Sequence, residues 1–236
     1  MVHIRKIICF FGFCTVFLLA AVIGNKSHQT AGYSIITTPI LIIDPGHGGE
    51  DGGARGCNGI TEKDINLEIS LKLDSMLKMF FLPVVMTRRE DISLHDSSAD
   101  TISRKKVSDL HNRLSMIEEL GNPPVVSIHQ NTYPSASERG AQVFYSPNHG
   151  GSYELAVLIQ QSIKKNADPQ NERVIKRAYD DIFLMNSLSG PGVIVECGFI
   201  SNPNEAARLC ESDYQNAVAS AITAACLEYL KESEES

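Results

Sequence analysis

The 236-residue sequence has no tryptophan, no Cys-x-x-Cys pair, no Gly-Lys-Ser/Thr sequence and no internal repeat. Each absence closes a route. Without closely spaced cysteine pairs, a structural zinc knot is excluded. Without Gly-Lys-Ser/Thr, the glycine-rich stretch at 46–49 is not a phosphate cradle, and Glu50 and Asp51 beside it would repel an anion. Without repeats, a solenoid is excluded. A basic excess is also missing: 21 Lys and Arg stand against 28 Asp and Glu.

The first 24 residues lack something else, any acidic side chain. His3, Arg5 and Lys6 precede an apolar run from Ile7 to Gly24, the charge arrangement of a secretory signal or an uncleaved signal anchor. The run is long for a signal core and just long enough to span a bilayer, and its small-residue cleavage sites are poor, which favours an anchor. The rest of the chain is therefore expected outside the cytoplasm, with the membrane as a partner through 1–24. Leaving out Arg5 and Lys6, 19 basic residues face 28 acidic ones, about −9 in net charge. Such a domain gains nothing from counterion release, so nucleic acid is not expected as a partner. Cys9 and Cys14 fall in the apolar run. Cys57, Cys197, Cys210 and Cys226 form no framework, so no obligatory disulfide is expected, and Cys226 reads as a helix-core thiol.

With 43% hydrophobic residues, the remainder can bury the core of one ordinary domain. The expected organisation is a signal or anchor at 1–24, a tether and the start of the first strand at 25–38, and a catalytic domain at 39–232.

The most informative stretch is Ile40 to Gly49. Four apolar residues read as a strand buried on both faces, and Asp44-Pro45-Gly46-His47-Gly48-Gly49 then leaves the sheet abruptly. One imidazole is left just past the strand end, the edge where open α/β sheets build their sites. His47 alone could equally be an ordinary loop histidine. The pattern recurs at Val125-Val126-Ser127-Ile128, a second buried strand that ends on His129 and continues into Gln130-Asn131.

Between them, Thr61 suits an N-cap, with Asp64 completing a near capping box, and Ile65, Ile69, Leu73, Met76, Leu77 and Phe80 follow at helical spacing. Glu62 in the first turn is favoured by the helix dipole alone. It also sits where the histidine loop must return to pack, within reach of His47. Val84 to Thr87 reads as a short strand. Ser103-Arg104-Lys105-Lys106 reads as a solvated cluster leading into a helix to about Leu120, with Val107, Leu110, Leu114 and Ile117 inward. Ala141 to Ser146 reads as an alternating strand near an edge, Ser152 to Ala167 as a helix burying Leu155, Leu158, Ile159 and Ile163, and Asp180 to Met185 as a short strand or extended segment. Helices are expected at 204–210 and 214–230.

In Val193-Ile194-Val195-Glu196-Cys197-Gly198-Phe199 a charge interrupts an apolar strand. A buried carboxylate is costly unless it is paired or its pKa rises. Glu196 is thus either half of a buried salt bridge or a carboxyl whose shifted pKa is used.

Two imidazoles and one carboxylate leave a fourth zinc position for water, a hydrolytic arrangement. A further carboxylate is needed to carry the proton from water to the leaving amine. Glu62 reads as the ligand beside His47 and His129, and Glu196 as the proton carrier.

With these residues the chain resembles the zinc-dependent N-acetylmuramoyl-L-alanine amidases of the amidase 3 family. The matching segments are Ile43 to Gly49, Glu62 to Leu67, Ser127 to Asn131, and Val195 to Asn202. The resemblance implies Zn2+ held by His47, Glu62 and His129, with Glu196 catalytic. It also implies a single α/β domain with a central, mostly parallel six-stranded twisted sheet flanked by helices on both faces. The implied reaction cleaves the amide between N-acetylmuramic acid and L-alanine of peptidoglycan stem peptides. Asn131 is a candidate substrate contact. Two residues beside the site depart from the family pattern: Gln130 stands where many members carry alanine, and Cys197 where they carry leucine.

The Ser103 to Lys106 insertion, the Arg139 to Gln142 run and the apolar N-terminus resemble the germination-specific branch, which acts on spore cortex and prepares muramic-δ-lactam. No wall-binding repeat is present, so location is expected to come from the N-terminal segment or from a separate targeting or activating protein. Two rival readings predict different behaviour. A thiol amidase would use Cys197 with His129 and fail on alkylation, and a non-catalytic wall-binding module would need none of the four site residues.

Overall fold

The computed structural model describes residues 40–56 and 59–235. The apolar segment at 1–24, the tether and start of the first strand at 25–38, and Cys57 lie outside the described residues. In chain order the elements are β1 (Leu41–Pro45), α1 (Glu62–Met79), β2 (Val84–Met86), α2 (Ile102–Glu119), β3 (Val125–Asn131), β4 (Gln142–Tyr145), α3 (Gly150–Asn166), β5 (Lys176–Arg177), α4 (Phe183–Ser187), β6 (Gly192–Phe199), α5 (Pro203–Leu209) and α6 (Ser212–Glu235). No helix among the described residues is long and apolar enough to cross a membrane.

The strands form one six-stranded sheet in the order β2-β1-β3-β6-β4-β5. β2, β1, β3 and β6 run parallel, while β4 is antiparallel to β6. This is the mostly parallel sheet expected. Strand alternation divides the core between its faces. Leu41, Ile43, Val126, Ile128, Val193, Val195 and Cys197 pack with α1, α3 and α6 in one cluster. Ile42, Val125, Phe144 and Ile194 pack with Ile117 of α2 and Leu184 and Met185 of α4 in a smaller one. By the same alternation Asp44, Ser127, His129 and Glu196 belong to the thinner α2/α4 face.

Several local expectations are corrected. Ile117 is buried as expected, but Val107 is exposed, because α2 turns Asp109 and Arg113 inward instead. Lys105 and Lys106 are not a free solvated cluster: they pair with Glu50 at 2.7 Å and Asp51 at 2.8 Å, tying α2 to the histidine loop. The segment 180–185 is not extended. The strand lies earlier, at Lys176–Arg177, and Phe183–Ser187 is a short helix whose Leu184 and Met185 close the thin face. β4 does lie near an edge, one strand in from β5, but it does not alternate in burial: Gln142, Val143 and Phe144 are all buried. Thr61 takes the N-cap position of α1, but its hydroxyl bonds the Asp64 carboxylate rather than a helix amide.

Candidate metal centre

β1 delivers the chain to the carboxyl edge of the sheet, and the loop beyond it turns through left-handed backbone at His47 (φ 61) and Gly49 (φ 57). The turn brings His47 back over the start of α1. His47 Nε2 lies 3.2 Å from Glu62 Oε1, and on the other side His47 Nδ1 lies 2.9 Å from Asp51 Oδ2. His129, at the end of β3, sets Nδ1 3.0 Å from the same Glu62 oxygen. The two imidazoles meet edge to face, with centroids 5.1 Å apart.

Glu62 is held as firmly as it holds. Its Oε1 also accepts from the Gln130 amide at 3.1 Å, and its Oε2 from the Ala54 amide at 2.8 Å. Two glycines make room for this convergence. A Cβ at Gly46 would lie 2.2 Å from His129 Nε2, and one at Gly53 would lie 2.5 Å from Glu62 Oε2 and 2.7 Å from His47 Cδ2. Neither position tolerates a side chain without displacing a member of the cluster.

One donor atom from each of His47, Glu62 and His129 lies within 4.8 Å of the others. Two imidazole nitrogens and a carboxylate oxygen at that spacing fit a divalent transition metal, the donor set found in hydrolytic zinc sites. Electrostatics agree. Burial alone would raise Glu62, but the bonds and charges of His129 and His47 outweigh it and hold the carboxyl well below its usual range. Burial would lower His47, yet Asp51 and Glu62 raise it to about 9, a measure of the negative charge waiting for a cation there.

Glu196 stands beside this cluster on β6, paired across the ladder with His129. Its Oε2 is buried and has no hydrogen-bond partner. Burial, reinforced by the Glu62 charge and opposed by His129 and His47, pushes its pKa up to about 7. No salt bridge to Glu196 is present among the described residues, so the raised pKa is the alternative that holds. Cys197 packs on the opposite face in the larger core cluster, and burial pushes its thiol far above the ordinary range. That removes the basis of the thiol reading.

His47, Glu62 and His129 thus meet at one point, with Glu196 next to them. Asn131 is half-buried one turn of the pleat beyond His129, and its carbonyl accepts from the Ile200 amide at 2.9 Å. Asp51 and the amides of Ala54 and Gln130 were not legible as part of the site. The one sequence signal for Asp51 is its place four residues after His47. A cavity of about 290 Å3 opens beside the cluster on the thin face, between Leu110 of α2 and Phe183 of α4, with His47, His129 and Ser127 in its wall.

Comparison with known proteins agrees with this geometry. The family model for N-acetylmuramoyl-L-alanine amidase, amidase 3, matches residues 41–228. The germination-specific N-acetylmuramoyl-L-alanine amidase of Bacillus subtilis is 37% identical over 82% of this chain and 80% of its own length. The CwlD amidase of Clostridioides difficile, solved in complex with the GerS lipoprotein, superposes with a TM-score of 0.78 at 37% identity, covering 81% of this chain and 98% of that one. AmiC2 of Nostoc punctiforme, also an N-acetylmuramoyl-L-alanine amidase, gives a TM-score of 0.71 at 29% identity over 82% and 98% of the two chains. The sheet, the cluster at its carboxyl edge and these matches across four-fifths of the sequence make the chain a member of the amidase 3 family of N-acetylmuramoyl-L-alanine amidases.

Proposed function

We propose that this amidase is a zinc enzyme in which His47, Glu62 and His129 hold the ion and Glu196 moves the proton, and that its substrate is the peptidoglycan of the spore cortex. The observation that carries the reading is the contrast around one point: three donor atoms gathered within 4.8 Å, and a fourth carboxyl beside them left without a partner. Zinc bound there would supply Lewis acidity toward the scissile carbonyl and bring the pKa of water to about 7.

The chain's own groups do the rest. Asp51 holds the far nitrogen of His47 and so fixes the direction of the near one. Glu196, with a pKa of about 7, can accept a proton from the attacking water near neutrality. As the carbon–nitrogen bond breaks, Glu196 returns that proton to the departing amino group of L-alanine, leaving a lactyl carboxylic acid on the sugar, which ionises to solvent. Asn131, two residues beyond His129 at the same strand end, is the candidate substrate contact of this reading.

The cortex assignment is supported by the 37% identity to the germination-specific enzyme of Bacillus subtilis. Action on cortex implies export, in keeping with the apolar segment at 1–24 as a signal or anchor. The CwlD amidase structure contains a lipoprotein partner, which supports a separate targeting or activating protein for this chain. The test is metal content and activity measured together on purified cortex peptidoglycan. New L-alanine amino termini should appear with about one zinc per chain, vanish with chelator and return with zinc. Activity that survives complete metal removal would sink the zinc reading.

A further inference from the structure

We infer that Arg113, in the middle of α2, is a positioning residue of the metal centre, fixing the backbone that presents His47 and thereby setting metal affinity without touching a ligand side chain. The inference rests on the zinc reading above. Arg113 is buried, at 2% exposure. Each nitrogen of its fork has a separate task. Nε donates to Asp109 Oδ2 at 2.6 Å, Nη1 donates to Asp44 Oδ1 and to the Pro45 carbonyl at 2.9 Å, and Nη2 donates to the His47 carbonyl at 2.8 Å.

Asp44 is itself anchored, accepting from Thr87 Oγ1 at 2.7 Å and Ser127 Oγ at 2.7 Å, so the fork joins α2 to β1, to β3 and to the residue that follows β2. Arg88 completes the cage, donating to the Pro45 carbonyl at 3.0 Å and the Gly46 carbonyl at 3.0 Å. The carbonyls of Pro45, Gly46 and His47 therefore all turn inward onto two arginines.

The physical need is plain. A loop leaving the sheet through left-handed backbone loses its ladder partners, and buried carbonyls require donors. A buried cation is stable only when paired, and Asp44 and Asp109 supply two carboxylates. Simple packing of α2 does not call for this: Ile117, one turn further along, already fills the thin-face core. Only a planar fork reaches a carboxylate and the two loop carbonyls from opposite sides, and a lysine nitrogen cannot.

The test compares the full-length Arg113→Lys and Ile117→Ala proteins with the unchanged chain. Zinc dissociation constants are measured by chelator competition, alongside the melting temperature of the metal-free proteins and kcat/KM at saturating zinc. Arg113→Lys should weaken zinc binding about 10- to 100-fold, the usual range for losing support behind a ligand, with kcat/KM largely restored at saturating zinc. Ile117→Ala should lower the melting temperature and leave zinc affinity within about twofold. If Arg113→Lys does not fold, Asp109→Asn decides, with an expected loss of about threefold or more. Zinc affinity unchanged in the folded arginine variant, or in Asp109→Asn when that variant decides, overturns the inference. So does an equal loss in Ile117→Ala. Failure of the unchanged chain to bind zinc would instead overturn the zinc reading on which this rests.

Discussion

Glu62 and Glu196 carry the same side chain at the same sheet edge, yet their surroundings drive them in opposite directions. Glu62, at the start of a helix, accepts from two backbone amides and faces two imidazoles, and its carboxyl stays ionised far below neutrality. Glu196, inside a strand, has an oxygen with no partner, and its pKa rises to about 7. Hydrogen bonds to the charged form fix one group as a permanent anion, while burial leaves the other ready to gain and lose a proton. In the proposed reading it is the environment, and not the residue type, that separates ligand from proton carrier.

The comparison can be broken most forcefully at Glu62. Glu62→Ala should strip the metal, leaving zinc content near zero and activity at background even with added zinc. A variant that keeps both would end the assignment of Glu62 as a ligand. Glu196→Gln should keep the fold and one zinc per chain yet lower kcat by about 10² to 10⁴. If the metal left with Glu196, the two roles would have to be exchanged.

Next in size is the pH profile. If Glu196 is the proton carrier its active form is the carboxylate, so kcat/KM should climb about tenfold per pH unit up to an apparent pKa at or below about 7, since bound metal charge favours the carboxylate. A profile with no acid limb at any pH below 7 would contradict it. Smallest are the stability effects, and they run with opposite signs. A carboxyl whose folded pKa is raised is best tolerated when protonated, so Glu196 costs stability progressively as pH rises from its unfolded value to about 7. Glu196→Gln should therefore raise the melting temperature of the metal-free protein by a few degrees at pH 8 and not at pH 4.

Asp44 behaves conversely. Burial would raise it, but Arg113, Ser127 and Thr87 hold it at about 2, so its stabilisation is complete above about pH 4 and is lost as pH falls toward 2. Asp44→Asn should flatten that acid limb of the melting curve. An acid limb of unchanged depth would show that Asp44 is not its source.

The four site residues were legible because three of them break a strand pattern: two histidines stand where apolar runs end, and one glutamate interrupts a run. The sheet was legible from the same runs. Asp44 obeys the rule applied to Glu196, a charge closing a buried strand, yet Pro45 beside it disguised it as the start of a turn. Arg113 lies three residues after Leu110 and four before Ile117, on the inward stripe, where helical periodicity marks only the apolar members. Its meaning depends on contacts 66 to 69 residues away, with His47, Pro45 and Asp44, which no local pattern encodes. A separation of 55 residues likewise keeps the pairing of Lys105 and Lys106 with the histidine loop out of any local pattern. The short helix at Phe183–Ser187 leaves no periodic signal, because five residues cannot establish a period.

The two glycines at the cluster carry a consequence for sorting sequences. Between His129 and the loop at Gly46, and between Glu62 and His47 at Gly53, the gap admits a hydrogen and nothing larger. A protein of this architecture that keeps both histidines and both glutamates but places a methyl or more at either position has its ligands wedged apart. Such a sequence would pass a search for the four chemical residues and still be a dead enzyme, a pseudoenzyme recognisable from its missing hydrogens.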